Sequence, residues 1–255
     1  MRPPKHPFPI QTRFRDCHLV NFAIEPSVLA RALPSPLVPD IYADRGWLSV
    51  VIAQMSGMRP AGIPQPLGVT YNQVVYRAVV RHGDARGVHF LRSDSDSCLM
   101  SALGNAMSFF AFHHADIEMQ RDSDLQSVEV RTRDHTADIQ ARFRPSTELP
   151  PTSVFPDLAT AKRQLVELFD AYHPRPGRPV TDQISIRRSD WELRLVEDEI
   201  ARYQLMDDSA MFPAGSAVLD SVFAVKDLMY RWNRLAHVPS ATSHREKPLT
   251  RHGRP

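Results

Sequence analysis

Tyr71-Asn72-Gln73-Val74-Val75-Tyr76-Arg77-Ala78-Val79-Val80 is an apolar run with an arginine inside it. Its β-branched and aromatic content reads as a strand. Strand side chains alternate between two faces, so Tyr71, Gln73, Val75, Arg77 and Val79 share one face. A guanidinium beside an amide and a phenol could orient a carboxylate or a carbonyl. A buried arginine needs a partner in any case. An outer-face arginine paired with a nearby acid is therefore the competing reading.

Outward from this strand, the chain reaches Arg81, turns through His82-Gly83-Asp84 and returns as Val88 to Arg92. On the N-terminal side, Met58-Arg59-Pro60-Ala61-Gly62-Ile63-Pro64 is a turn-rich loop. Trp47 to Met55 is a nearly continuous apolar run, expected as a strand covered on both faces. Arg15 to Ile24 alternates, with His18, Val20, Phe22 and Ile24 on one face and Cys17, Leu19, Asn21 and Ala23 on the other. Pro26 opens a short helix, Ser27 to Leu33, which stops before Pro34.

Further along, Ser93-Asp94-Ser95-Asp96-Ser97 is a cluster of capping residues before Cys98 to Met107, which suits a short helix. Asp94 and Asp96 are read there as caps rather than as an acid–base pair. Phe109 to Met119 is β-like, with Phe112, His114 and Asp116 facing one way and His113, Ala115 and Ile117 the other. Val128 to Arg133 and Ala137 to Arg144 form a hairpin through Asp134-His135-Thr136. Leu158, Ala161, Leu165, Leu168, Phe169 and Tyr172 recur at helical spacing and predict a helix over Pro156 to Tyr172. Ile184 to Leu193 reads as a strand, and a short acidic helix is expected near Glu197 to Tyr203. Leu228, Tyr230 and Trp232 alternate with Met229, Arg231 and Asn233 in a final strand. This order is α+β and not a regular βαβ succession. Residues 1–12 are expected as a flexible N-terminal arm and residues 239–255 as a disordered basic tail. Residues 13–238 then form a single domain.

Among 255 residues, 31 Lys and Arg nearly balance 29 Asp and Glu, for a formal charge of +2. The charges are interspersed, so no nucleic-acid partner is expected. Lys5, Lys162, Lys226 and Lys247 are the only lysines, and amine chemistry would need one of them in the site. Two cysteines, Cys17 and Cys98, make neither a disulfide framework nor a zinc set. No run is apolar enough for a membrane span, and the basic N-terminus lacks the apolar segment of a signal peptide, so the cytoplasm is expected. No G-x-G-x-x-G, P-loop, H-E-x-x-H or G-x-S-x-G motif occurs, and no cofactor is expected. His113-His114 invites a metal reading, but neighbours on a strand face opposite ways, so no metal site is expected.

The strand and helix ending in Ala32-Leu33-Pro34, the run Trp47-Leu48-Ser49-Val50-Val51, the Met58 to Pro64 loop, Tyr71 to Arg77, Gly87-Val88-His89-Phe90 and Trp191-Glu192-Leu193 come in a telling order. Together they resemble the YqjF-like family (domain of unknown function 2071) of the acetoacetate decarboxylase-like superfamily. The resemblance is fullest over roughly residues 13–120. It implies a strongly bent mixed or antiparallel sheet, a cone or partial barrel with a few peripheral helices and a pocket inside. The decarboxylase uses a lysine pair, one lysine forming a Schiff base. By resemblance that pair falls on Phe112 and His113, the superfamily arginine on Asn105 and the acidic strand residue on Gln73. Schiff-base decarboxylation is therefore not expected.

The expected partner is a small-molecule ligand or substrate, and a homo-oligomer stays open. In an enzyme doing metal-free acid–base chemistry on an oxo- or carboxyl-bearing compound, His113 would be the acid or base, since imidazole titrates near neutrality. Arg77 would orient the substrate, with Gln73, Asn105, Tyr71, Arg59 and Phe112 around it. The alternative is a non-catalytic binding protein whose Phe109, Phe110 and Phe112 favour an apolar ligand. A one-residue slip in their strand would exchange His113 for His114.

Overall fold

The computed structural model describes residues 8–189 and 191–240. Its first half contains β1 (Ile10–Ile24), α1 (Pro26–Ala32), β2 (Val38–Pro39), β3 (Gly46–Pro60), β4 (Val69–His82), β5 (Ala85–Ser95), α2 (Cys98–Met107) and β6 (Phe112–Asp122). The second half contains β7 (Leu125–Thr132), β8 (Ile139–Pro145), α3 (Leu158–Leu165), β9 (Asp170–Pro174), β10 (Val180–Arg188) and β11 (Arg194–Asp198). It ends with β12 (Arg202–Tyr203), α4 (Gln204–Asp207), β13 (Ala217–Trp232) and β14 (Ala236–Pro239). Among the described residues no helix is long and apolar enough to cross a membrane.

The alternation seen in the sequence decides the architecture. β13, β1, β3, β4 and β5 pair antiparallel in that order. Beyond β5 the sheet divides. One path returns to β13 through β9 and β10. The other returns through β6, β7, β8 and β11. β5 pairs parallel with both β6 and β9, so the sheet is mixed. The five-strand wall is therefore common to two strongly curved rings, and both of its faces are covered.

One face carries Val20, Phe22, Ile24, Val50, Ile52 and Tyr76, packed against Val128, Ile139 and Phe143 of β7 and β8. The other face carries Phe14, Cys17, Leu19, Ala53 and Tyr71, with Val225 and Leu228 of β13. Burying both faces requires the nearly continuous apolar runs that β3 and β4 possess. Register across the wall is pinned by a polar row. Asn21 lies opposite Ser221 on one side and Ser49 on the other. Ser49 Oγ donates to Asn21 Oδ1 at 2.7 Å, and Asn21 Nδ2 donates to the Ser221 carbonyl at 3.2 Å. A slip by one residue would leave these buried groups unpaired.

Several sequence expectations need correction. Residues 8–12 were expected in a loose arm, yet β1 starts at Ile10, and Ala61 N donates to the Pro9 carbonyl at 2.8 Å. Pro239 belongs to β14 and pairs with Val180. Residues 1–7 of the expected arm and 241–255 of the expected tail lie outside the described residues.

The helix over Pro156 to Tyr172 is cut short. Asp157 caps it by accepting from Thr160 N at 2.7 Å, but it stops at Leu165. Its last carbonyls are taken by two arginines: Arg77 Nη2 donates to Leu165 O at 3.1 Å and Arg188 Nη2 to Val166 O at 2.7 Å. Orphan carbonyls at a helix end attract cations. Ala171 and Tyr172 are then buried as parts of β9, leaving Phe169 exposed.

The acidic helix near Glu197 to Tyr203 is instead β11, a turn and β12, because Asp198 Oδ1 accepts from the backbone of Arg142, Ile200 and Ala201. The Ser93 to Ser97 cluster is mostly strand. Only Ser97 caps α2, accepting from Met100 N. Asp94 is buried in β5 against Arg92 Nε at 2.9 Å, and Asp96 accepts from Asn72.

Candidate binding site

The second ring is not filled. A cavity of about 460 Å³ lies inside it, within the range of small-molecule sites, roughly 300–1,000 Å³. The odd-numbered face of β4 supplies Tyr71, Gln73, Val75 and Arg77, as the alternation predicts. A register shift between Tyr76 and Arg77 opposite β5 changes the parity of that strand, so Val88 and Phe90 but then Ser93 face inward.

The cavity has two unlike ends. At the mouth, Ile63 is 42% and Leu67 73% exposed, joined there by Leu103 and Met107 of α2. Glycines shape this end. Gly57 has φ +62°, and a Cβ on Gly68 would sit 2.5 Å from the Gly57 carbonyl carbon. A Cβ on Gly104 would overlap the Phe112 ring. At the closed end stand Cys17, Arg77, Arg188 and Tyr230.

Of the residues expected at the site, Arg59, Tyr71, Gln73, Arg77 and Phe112 line the cavity and two do not. His113 pairs with Asp94 across β5 and β6, on the face that Ala115 and Ile117 share. Its side chain is half exposed, with Nδ1 3.9 Å from Asp94 Oδ1. It cannot serve as acid or base in the cavity. His114 does not line it either; its Nδ1 lies 3.7 Å from Cys98 Sγ. Asn105 is spent on the backbone of Phe112, giving Nδ2 to its carbonyl at 2.9 Å and taking its N–H at 2.8 Å. Phe110 lines the cavity, whereas Phe109 stacks on His173.

Arg59 clips the mouth, donating to Gly57 O at 2.7 Å and Ile63 O at 2.8 Å. The Tyr71 hydroxyl donates to Gln73 Oε1 at 3.3 Å. Arg188, Tyr230, Cys17 and Trp191 were missed. Arg188 shares the parity of Ile184 and Ile186, and Tyr230 that of Leu228 and Trp232, so the strand period held a signal for both. The Arg188 guanidinium lies over the rings of Phe169 and Trp191 at 4.9 and 5.4 Å.

Among the described residues no lysine, histidine or carboxylate lines the cavity. Burial pushes the Cys17 thiol up to about 12, with Arg77 and Arg188 pulling it back. Burial likewise raises the Tyr71 and Tyr230 phenols. These groups stay protonated through neutral pH. Burial pulls both guanidinia below their ordinary value, opposed by Tyr230. Arginine keeps its proton, so the pull is felt as an electrostatic cost.

Solved structures share this architecture. The enduracididine biosynthesis enzyme MppR, complexed with pyruvate, aligns with a TM-score of 0.60 at 12% identity, over 92% of this chain and 92% of that one. Acetoacetate decarboxylase from Legionella pneumophila subsp. pneumophila strain Philadelphia 1 aligns with a TM-score of 0.59 at 13% identity, over 93% and 92%. An acetoacetate decarboxylase-like enzyme from Sphingomonas wittichii RW1 aligns with a TM-score of 0.57 at 15% identity, over 92% and 94%. At these identities the likeness is one of fold, and the fold expected from the sequence is the one observed. No curated protein matches the chain. A family model described as an uncharacterized conserved protein, DUF2071, matches residues 11–223, and the chain belongs to that family.

Proposed function

We propose that this protein takes up a small, largely apolar organic molecule in the hollow ring and holds it without changing it chemically. One observation carries the reading: the cavity is walled by apolar side chains and by groups that do not exchange a proton near neutrality. Acid–base turnover needs a group poised near the working pH, and a Schiff base needs a lysine. Among the described residues neither lines this cavity. MppR, which shares the fold, is complexed with the small oxo acid pyruvate, and that supports a ligand inside this ring as well.

Native mass spectrometry of the protein purified from its own host, before and after denaturation, tests the reading. A small molecule should co-purify and be recovered unchanged after long incubation with fresh protein. Protein-dependent conversion of that molecule would overturn it. So would an empty protein that also fails to take up any of a panel of small apolar compounds.

A further inference from the structure

The closed end of the cavity is more specialised than apolar uptake requires. Arg77 and Arg188 come from different strands, β4 and β10, and reach consecutive carbonyls at the end of α3. Their guanidinia therefore lie side by side. Each spends one Nη on a carbonyl, and the Nε of each is buried with no hydrogen-bond partner. Arg77 is only 7% exposed. The Tyr230 hydroxyl beside them makes no hydrogen bond to a described residue, though its ring is fixed by stacking on Phe14 at 4.7 Å. Among the described residues no carboxylate lines the cavity; Glu167, outside it, offsets Arg188 in part and is itself paired with Lys162 at 3.7 Å.

Buried donors without partners are costly, and buried like charges without a counter-ion more so. An arginine fork is shaped for a planar oxyanion. The carbonyls at the end of α3 supply about half a negative charge and Glu167 offsets Arg188 further, so a single negative charge fits what remains better than two.

We propose that the ligand is an amphipathic carboxylate. Its head docks between Arg77 and Arg188, close to the Tyr230 hydroxyl, and its apolar body runs out along Val51, Met55 and Phe90 towards the mouth. This assignment rests on the binding reading above and adds the ligand class and its orientation. The two arginines are binding residues, and no bond is made or broken.

Calorimetric titration of the full chain with decanoate, decanol and decyl phosphate separates the two ideas. Decanoate should bind tightest, by about tenfold or more over decanol. Arg188→Met should weaken decanoate by about tenfold or more, so that the ratio of decanoate to decanol affinity falls towards one. Equal binding of decanol and decanoate to the wild-type chain would overturn the anionic head and keep the apolar cavity. Tighter binding of decyl phosphate would overturn the carboxylate. No binding of any of the three would overturn both readings. A carbon-13 carboxyl label on decanoate gives a measurement that needs no variant. Bound between two guanidinia, the carboxyl should stay ionised well below its free titration range. A bound carboxyl that titrates at or above its free value would sink the assignment.

Discussion

The two rings share five strands yet serve opposite ends. In the first, Val20, Phe22, Val50, Ile52 and Tyr76 meet side chains from β7 and β8, and the space closes. In the second, Leu19, Val51, Ala53, Gln73 and Arg77 stand on the same strands, one residue out of phase, and a cavity remains. Apolar side chains of matched volume collapse to a dense core. Two arginines anchored to a helix end cannot collapse onto each other, and Ala53 leaves room. A sheet buried on both sides can thus put stability on one face and binding on the other.

The largest test of this contrast uses adjacent residues of β3. Ile52→Ala, in the filled ring, should cost about 2–5 kcal/mol in chemical denaturation. Val51→Ala, on the cavity wall, should cost only about 1 kcal/mol, because less packing is lost there. Equal costs for the two would break the contrast. Next in size, Asn21→Leu should cost about 2 kcal/mol by orphaning Ser49 and Ser221 in the wall. Adding Ser49→Ala should restore part of that loss, which a double-mutant cycle would measure.

The filled ring should also respond to acid. His18 stacks on Phe143 at 4.2 Å, and burial lowers its pKa from 6.5 to about 3, helped by Arg121 and Lys226. The unfolded chain therefore binds the proton more readily. The neutral ring's contribution is fully present above pH 6.5 and is lost as pH falls from there towards 3. The slope approaches about 1.4 kcal/mol per pH unit. His89, lowered by burial to about 4, adds to the slope. His18→Phe should flatten the pH dependence of stability without changing ligand affinity. The smallest effect belongs to the mouth. Arg59→Met should change stability by no more than about 0.5 kcal/mol, while stopped-flow uptake of an apolar dye becomes faster.

Much of this is legible in the sequence alone. The two-faced alternation of β1 and β4, and the double burial of β3, came straight from residue period. Arg77, Gln73 and Tyr71 were on one face by parity alone. His113 failed for a physical reason. Which face of β6 meets the cavity depends on its parallel register with β5, and a register shift inside β5 resets that parity. No local pattern reports such a shift. Asn105 failed because a polar side chain beside a pocket can be consumed by a neighbouring backbone, here that of Phe112. The helix expected from Pro156 runs too long because Leu168, Phe169 and Tyr172 keep its period, although Tyr172 belongs to β9. Arg77 and Arg188 take its last carbonyls, and the residue pattern gives no sign of that role for either.

The one-residue phase difference along β1, β3 and β4 makes this scaffold editable. Randomising the odd positions of β4 alters what the chamber accepts, while the even positions keep the fold standing. A laboratory library confined to Gln73, Val75 and neighbouring odd sites should contain many soluble members with new preferences. The same number of changes at Val74, Tyr76 and Ala78 should yield mostly insoluble chains.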